Sequence, residues 1–263
     1  MRAIAALLLL AALDCFAAPC KHEDFDVHVS ARSECLLMRR YGAADPATMI
    51  VWIHGNVSAG GPANSHFRLA EQAAAEFAAE RVLAVALVRP GYPDGTGESS
   101  SGSDEKRGDN WKRATVLEVA VAIERLRDHF KPKRIVLIGH SGGAAIAGVI
   151  LGMRPHLADA ALLIACPCDV AAWRPRWTSE SPLRWADKVE PFAHVLAITG
   201  SRDVTVAPEH ARAYVEALKG RGVDAGFELV PDVDHVGILR SDAISRSTAA
   251  LLASLAREAR SPR

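Results

Sequence analysis

From residue 47 onward the chain alternates two kinds of apolar pattern. Short runs at 47–53, 82–88, 133–138, 160–166 and 195–200 are almost continuously apolar, which is how strands covered on both faces read. Between them, apolar residues recur every three or four positions. Leu69, Ala73 and Phe77 mark 66–80; Val116, Ala120, Ile123, Leu126 and Phe130 mark 111–130; Ile244, Leu251 and Leu255 mark 241–260. That spacing lays one apolar stripe along a helix. Pro132 stops the second of these helices, and Pro208 and Gly220 bracket another at 208–218. A last strand is expected at 226–230. Strand and helix in alternation predict an α/β fold with a mainly parallel sheet and helices on both faces. Ahead of it, 25–30 alternates apolar and polar residues, and 35–40 is its partner in an N-terminal antiparallel hairpin. No linker divides residues 19–263, which are expected to form one domain.

The first 18 residues differ. Met1-Arg2 leads into an apolar run to Leu13, then small residues near 17 and 18, the layout of a secretory signal peptide and too short for a comfortable membrane span. Pro19 and Ala17 make a poor lipidation box for Cys20. The mature chain is therefore expected to be exported, periplasmic or secreted, with no stable membrane span. Export changes the reading of the cysteines: Cys20, Cys35, Cys166 and Cys168 remain, an even number suited to an oxidising compartment. Cys20 and Cys35 are placed to bridge the hairpin. Cys166-Pro167-Cys168 is spaced too tightly for an easy bond, and the four spacings match no common zinc site. With a formal net charge of zero over 263 residues, 49% hydrophobic and 24% charged, nothing favours a nucleic-acid partner.

The chemistry gathers at residues 133–148. Its apolar run breaks at Gly139, presents His140-Ser141-Gly142-Gly143, and continues as a small-residue helix. Gly139-x-Ser141-x-Gly143 in that setting is a nucleophile elbow, a sharp strand-to-helix turn with glycines where a Cβ would collide. The N–H of Gly142, opening the helix, faces a developing oxyanion. The strand at 47–53 ends at His54-Gly55-Asn56, where the backbone N–H of Asn56 is the expected second donor and His54 braces the loop. Losing such a donor costs about 3 kcal/mol of transition-state stabilisation. Asp203 follows the strand at 195–200, and His235 lies between the last strand and the last helix. His129 and His210 fall in helices, His194 begins a strand, and His22 and His28 precede the main sheet. Asp169 and Asp234 compete with Asp203. Ser141, Asp203 and His235 all sit at carboxyl ends of strands, where open α/β sheets hold ligands. His235 would take the proton of Ser141, and Asp203 would hold its tautomer. No metal or cofactor is called for. The polar loop at 91–109 is long enough to border the pocket. Residues 169–193 leave room for only a small lid; their Trp173, Trp177 and Trp185 either line an acyl or aromatic site or cover the sheet edge.

With these motifs, residues 47–263 resemble an α/β-hydrolase. The last third is similar to the catalytic domain of the prolyl-oligopeptidase and dienelactone-hydrolase branches. Ser181-Pro182-Leu183 and Ala186-Asp187-Lys188-Val189 resemble that branch's entry into the acid strand, and Gly200-x-x-Asp203 and 218–222 continue the match. Ser141-Gly142-Gly143 has the doubled glycine those families favour. The resemblance implies an α/β-hydrolase fold with little or no cap and a serine hydrolase forming an acyl-enzyme. No β-propeller to gate peptides is expected, and Gly142 stands where many peptidases carry tyrosine or another bulky residue. An ester also asks less of its leaving group than an amide, whose amine must be protonated. The expectation is an exported hydrolase of small carboxylic esters. The alternatives are a peptidase acting on short peptides and a non-catalytic binding protein of the same fold.

Overall fold

The hairpin comes first. In the computed structural model, which describes residues 19–258, β1 (His28–Ser30) pairs antiparallel with β2 (Cys35–Gly42). The expected signal peptide at 1–18 lies outside the described residues. The first strand starts three residues later than its alternation suggests. Asp24 Oδ1 accepts the N–H groups of Asp26, Val27 and His28 at 2.9, 2.8 and 2.8 Å, and the resulting turn holds Phe25 at φ 55°. A Cys20–Cys35 disulfide ties the chain ahead of β1 to the start of β2.

The apolar runs become β3 (Thr48–Ile53), β4 (Val82–Leu87), β5 (Arg134–His140), β6 (Ala160–Ile164) and β7 (His194–Gly200), with β8 (Asp224–Val230) at the far edge. Every residue of β3, β4 and β6 is buried, as expected of strands covered on both sides. The sheet order is β1-β2-β4-β3-β5-β6-β7-β8. β2 meets β4 antiparallel, and the remaining neighbours from β4 to β8 are parallel. The chain winds outward from β3 to β4, then crosses back to place β5 on the other side of β3. The connections after β3 and β5 therefore diverge, opening a crevice at the carboxyl ends of these two strands.

Among the described residues six helices complete the layers: α1 (Ser65–Glu76), α2 (Arg113–Phe130), α3 (Gly142–Met153), α4 (Val170–Trp173), α5 (Pro208–Lys219) and α6 (Ala243–Glu258). Successive strand residues point to opposite faces. Met49, Val51, Ile53, Leu137 and Leu163 pack with α2, α3 and α5, while Ile50, Trp52, Val136, Ile138 and Leu162 pack with α1 and α6. Helix α3 is buried along its whole length. At Gly152 a Cβ would lie 2.5 Å from the Trp185 carbonyl oxygen, so glycine there lets the 3-10 turn Pro182–Lys188 close against it. Apart from α4 and this turn, 169–193 carry no helix or strand.

Three expectations are corrected. The helix at 66–80 ends at Glu76 and gives way to a 3-10 turn, Ala78–Glu80. The one at 111–130 begins at Arg113 because Trp111 is committed elsewhere: its N–H donates to Ser179 Oγ and its indole to the Glu180 carbonyl. Cys166 and Cys168, thought too close in sequence to bond easily, form a disulfide. Their Cα atoms are 5.1 Å apart, shorter than the roughly 7 Å of a fully extended two-residue step and within ordinary disulfide reach.

Candidate active site

The turn after β5 brings three backbone segments closer together than side chains permit. Ser141 is held at φ 53°, ψ −120°, a costly conformation for a residue with a Cβ, and its N–H donates to the Ile164 carbonyl at 2.8 Å. A Cβ at Gly139 would lie 2.3 Å from the Gly143 carbonyl oxygen, and one at Gly143 would lie 2.1 Å from that of Ile53. Both glycines are therefore required by backbone-to-backbone approach, which wedges the start of α3 against the end of β3.

Ser141, His235 and Asp203 meet above β5, β7 and β8. His235 Nε2 lies 3.0 Å from Ser141 Oγ, and His235 Nδ1 lies 2.8 Å from Asp203 Oδ2. A carboxylate partner puts the proton on Nδ1 and leaves Nε2 facing the hydroxyl. The Asp203 side chain is fully buried, and its Oδ1 accepts the N–H groups of Thr205 and Val206 at 2.9 and 2.8 Å. The competing acids are occupied elsewhere. Asp169 caps α4 through the Ala172 N–H. Asp234 accepts the N–H groups of Gly237 and Val236 at 2.6 and 3.2 Å, bonds that hold its carboxyl below the usual range.

His140 was not singled out by the sequence. Its Nε2–H donates to the His235 carbonyl at 2.8 Å, so the residue before Ser141 anchors the loop that carries its neighbour. Burial, then the nearby His235 ring, pull the His140 imidazole down to about 4. It is neutral near pH 7. Adjacency to the serine was visible in the chain; its partner, 95 residues away, was not.

On the other side of Ser141 lies the loop after β3. His54 Nδ1 is 2.7 Å from the Gly55 carbonyl and Nε2 accepts the Arg89 N–H at 2.9 Å, which makes His54 a neutral brace. Burial pushes its pKa far down, helped by His66 and Arg89. Asn56 Oδ1 accepts from Arg89 Nη1 at 2.9 Å, and its Nδ2 donates to the carbonyls of Gly108 and Arg107 at 2.8 and 3.2 Å. Its amide is thus a strut, and any donor role at this position falls to the backbone N–H. Gly142, the first residue of α3, has no intrahelical acceptor for its own N–H. A Cβ at Gly142 would sit 2.5 Å from Asn56 Oδ1 and 2.9 Å from Trp111 Cζ3.

The 91–109 loop therefore borders the site, through the carbonyls that hold Asn56. Trp173 and Trp177 join Trp111 at ring distances of 6.2 and 5.3 Å, and Trp173 Nε1 donates to the Thr205 carbonyl in the acid loop. Trp173 thus links Trp111, which adjoins Gly142, to the acid loop, whereas Trp185 packs against Gly152 near the end of α3. A separate cleft of about 780 Å³ between α1 and α6, floored by Trp52 and Phe77, does not involve these residues. Among the described residues no three His, Cys, Asp or Glu side chains converge as a metal site.

Residues 50–183 match the sequence profile of the alpha/beta hydrolase family. The chain belongs to this family. Residues 175–261 of this alpha/beta hydrolase also match the prolyl oligopeptidase family, the branch that the last third resembles. No curated protein matches the chain. Its fold is similar to that of the Pyrococcus furiosus esterase Pf2001, with a TM-score of 0.66, 18% identity, and 88% of this chain and 91% of that one covered. A putative dienelactone hydrolase from Klebsiella pneumoniae gives 0.65 at 14% identity, covering 87% and 97%. The Pyrococcus horikoshii acylaminoacyl peptidase gives 0.58 at 17% identity, covering 79% of this alpha/beta hydrolase but 36% of the peptidase. At these identities the likeness is one of fold.

Proposed function

We propose that this chain is a serine hydrolase of small carboxylic esters, working through an acyl-enzyme. The observation that carries this reading is the continuous relay from Asp203 Oδ2 through the His235 ring to Ser141 Oγ, with links of 2.8 and 3.0 Å. Ser141 Oγ attacks the ester carbonyl carbon while His235 Nε2 takes its proton. The carbonyl electron pair moves onto oxygen, which the backbone N–H groups of Gly142 and Asn56 receive. Collapse of the tetrahedral intermediate breaks the bond to the leaving oxygen, which takes the proton back from His235. Water, deprotonated by the same imidazole, then releases the acid and restores Ser141. Asp203 keeps Nδ1 protonated and stabilises the imidazolium. Trp111 beside Gly142, with the half-buried Trp173 and Trp177 packed against it, suits an apolar acyl group.

A second reading, hydrolysis of short peptides, is favoured by the prolyl oligopeptidase match over 175–261. We also propose export: the Cys20–Cys35 and Cys166–Cys168 disulfides suit an oxidising compartment. Parallel assays with p-nitrophenyl esters of graded chain length and with aminoacyl anilides separate the first two readings. A fluorophosphonate probe should label the wild type and not Ser141→Ala, whose turnover should fall by about four to six orders of magnitude. An unlabelled, folded wild type would leave only a binding protein.

A further inference from the structure

Arg89 lies two residues past β4 and is wholly inaccessible to solvent, yet every acceptor it meets among the described residues is uncharged. Its Nη1 donates to Asn56 Oδ1 at 2.9 Å and to the His54 carbonyl at 3.3 Å, and its Nη2 donates to Asn110 Oδ1. Its Nε has no partner among the described residues, and its guanidinium stands 5.2 Å from the centre of the Tyr92 ring. The two nearby imidazoles, His54 and His66, are neutral, since burial lowers both. A guanidinium keeps its charge even when buried, and taking it out of water costs several kcal/mol. Buried charges are normally paired for that reason. Here, among the described residues, the cation is left without an anion directly beneath the loop that follows β3.

The neighbourhood suggests what the charge is for. A single 2.9 Å hydrogen bond joins it to Asn56, and the same Asn56 oxygen comes within 2.5 Å of where a Gly142 Cβ would lie. The guanidinium is thus one side chain away from the two backbone donors assigned above to the oxyanion. An ester carbonyl is neutral before attack and carries a full charge after it. A fixed cation in a water-poor site therefore favours the tetrahedral species over bound substrate.

We propose that Arg89 is a positioning residue for the oxyanion: it pins Asn56 and the His54 carbonyl from below and gives the loop a positive charge that is answered only when the tetrahedral intermediate forms. The inference rests on the Ser141 acyl-transfer reading and deepens it. Its test compares Arg89→Gln, which keeps a donor without the charge, and Arg89→Lys, which keeps the charge without the fork, in the full chain. The measurements are kcat and KM for a p-nitrophenyl ester, Ki for a trifluoromethyl ketone that adds Ser141 Oγ to give a tetrahedral anion, and thermal unfolding. Arg89→Gln should lower kcat about 10- to 100-fold and weaken the ketone by the same factor, with KM unchanged within about twofold. Arg89→Lys should recover part of both losses. A role confined to folding would shift the melting temperature without this parallel. If Arg89→Gln does not fold, Asn56→Ala removes the strut with Arg89 in place and should show the same paired loss, about tenfold.

A folded variant with kcat and ketone affinity at wild-type levels, or with the whole change in KM, would overturn the proposal. Should Ser141→Ala abolish turnover while the Arg89 and Asn56 variants keep both constants, only this inference falls. Full turnover in Ser141→Ala would remove both.

Discussion

Replacing Gly142 by alanine tests how tightly the serine turn and the loop after β3 are locked together. The added Cβ would come 2.5 Å from Asn56 Oδ1 and 2.9 Å from Trp111 Cζ3, about 1 Å short of ordinary contact with the amide oxygen. Trp111 cannot yield, being fully buried and hydrogen-bonded through its indole to Glu180. Asn56 must move instead, and a shift of that size breaks its bond to Arg89. A hydrogen bond to a charged group is worth about 1.5–3 kcal/mol, offset by up to about 1 kcal/mol for alanine over glycine in a helix. The net loss of about 1–2 kcal/mol should lower the melting temperature by roughly 2–8 °C. Activity should suffer more than stability, because the displaced loop carries the backbone N–H proposed as an oxyanion donor: kcat should fall about 10- to 100-fold. Initial rates with a p-nitrophenyl ester and a thermal melt on the same preparation measure both. Wild-type kcat at an unchanged melting temperature would refute the argument that Gly142, Asn56 and Arg89 form one rigid unit.

Two further outcomes concern stability. His66 and His140 are both lowered by burial to about 4 from the usual 6.5, so the unfolded chain takes up their protons first as pH falls. Their stabilising neutrality is complete above about pH 6.5 and is lost as the pH drops from there toward 4, by about 2 kcal/mol each at pH 5. Urea midpoints should therefore fall across this window, and His66→Gln should remove about one proton from the slope; an unchanged slope counts against a buried neutral His66. Converting both Cys20 and Cys35 to serine opens a loop with a sequence separation of 15. The cost should be about 3 kcal/mol, or roughly 6–12 °C in melting temperature; a melt within 2 °C of wild type would show that the bridge constrains little.

Local pattern alone determined much about this protein. Uninterrupted apolar runs and three-to-four spacing identify strands and helices because burial on two faces, or on one stripe, dictates composition directly. Gly139, Ser141 and Gly143 announced their turn because the steric demand falls on residues adjacent in the chain. The order of Ser141, Asp203 and His235 was likewise visible, since each follows a recognisable strand. What decided the rest was the sheet order, which places β6 between β5 and β7 and turns three distant loops into neighbours. Arg89 and His140 read as ordinary polar residues until folding sets one beneath Asn56 and the other against the His235 carbonyl. Asn56 itself was named for its backbone, whereas its side chain became a strut only through carbonyls of the 91–109 loop. The bond between Cys166 and Cys168 depends on how far the chain extends at Pro167, and spacing does not specify that. Sequence records the demands a residue makes on its immediate neighbours; partners dozens of positions away are chosen by packing, which is settled only when the whole sheet closes.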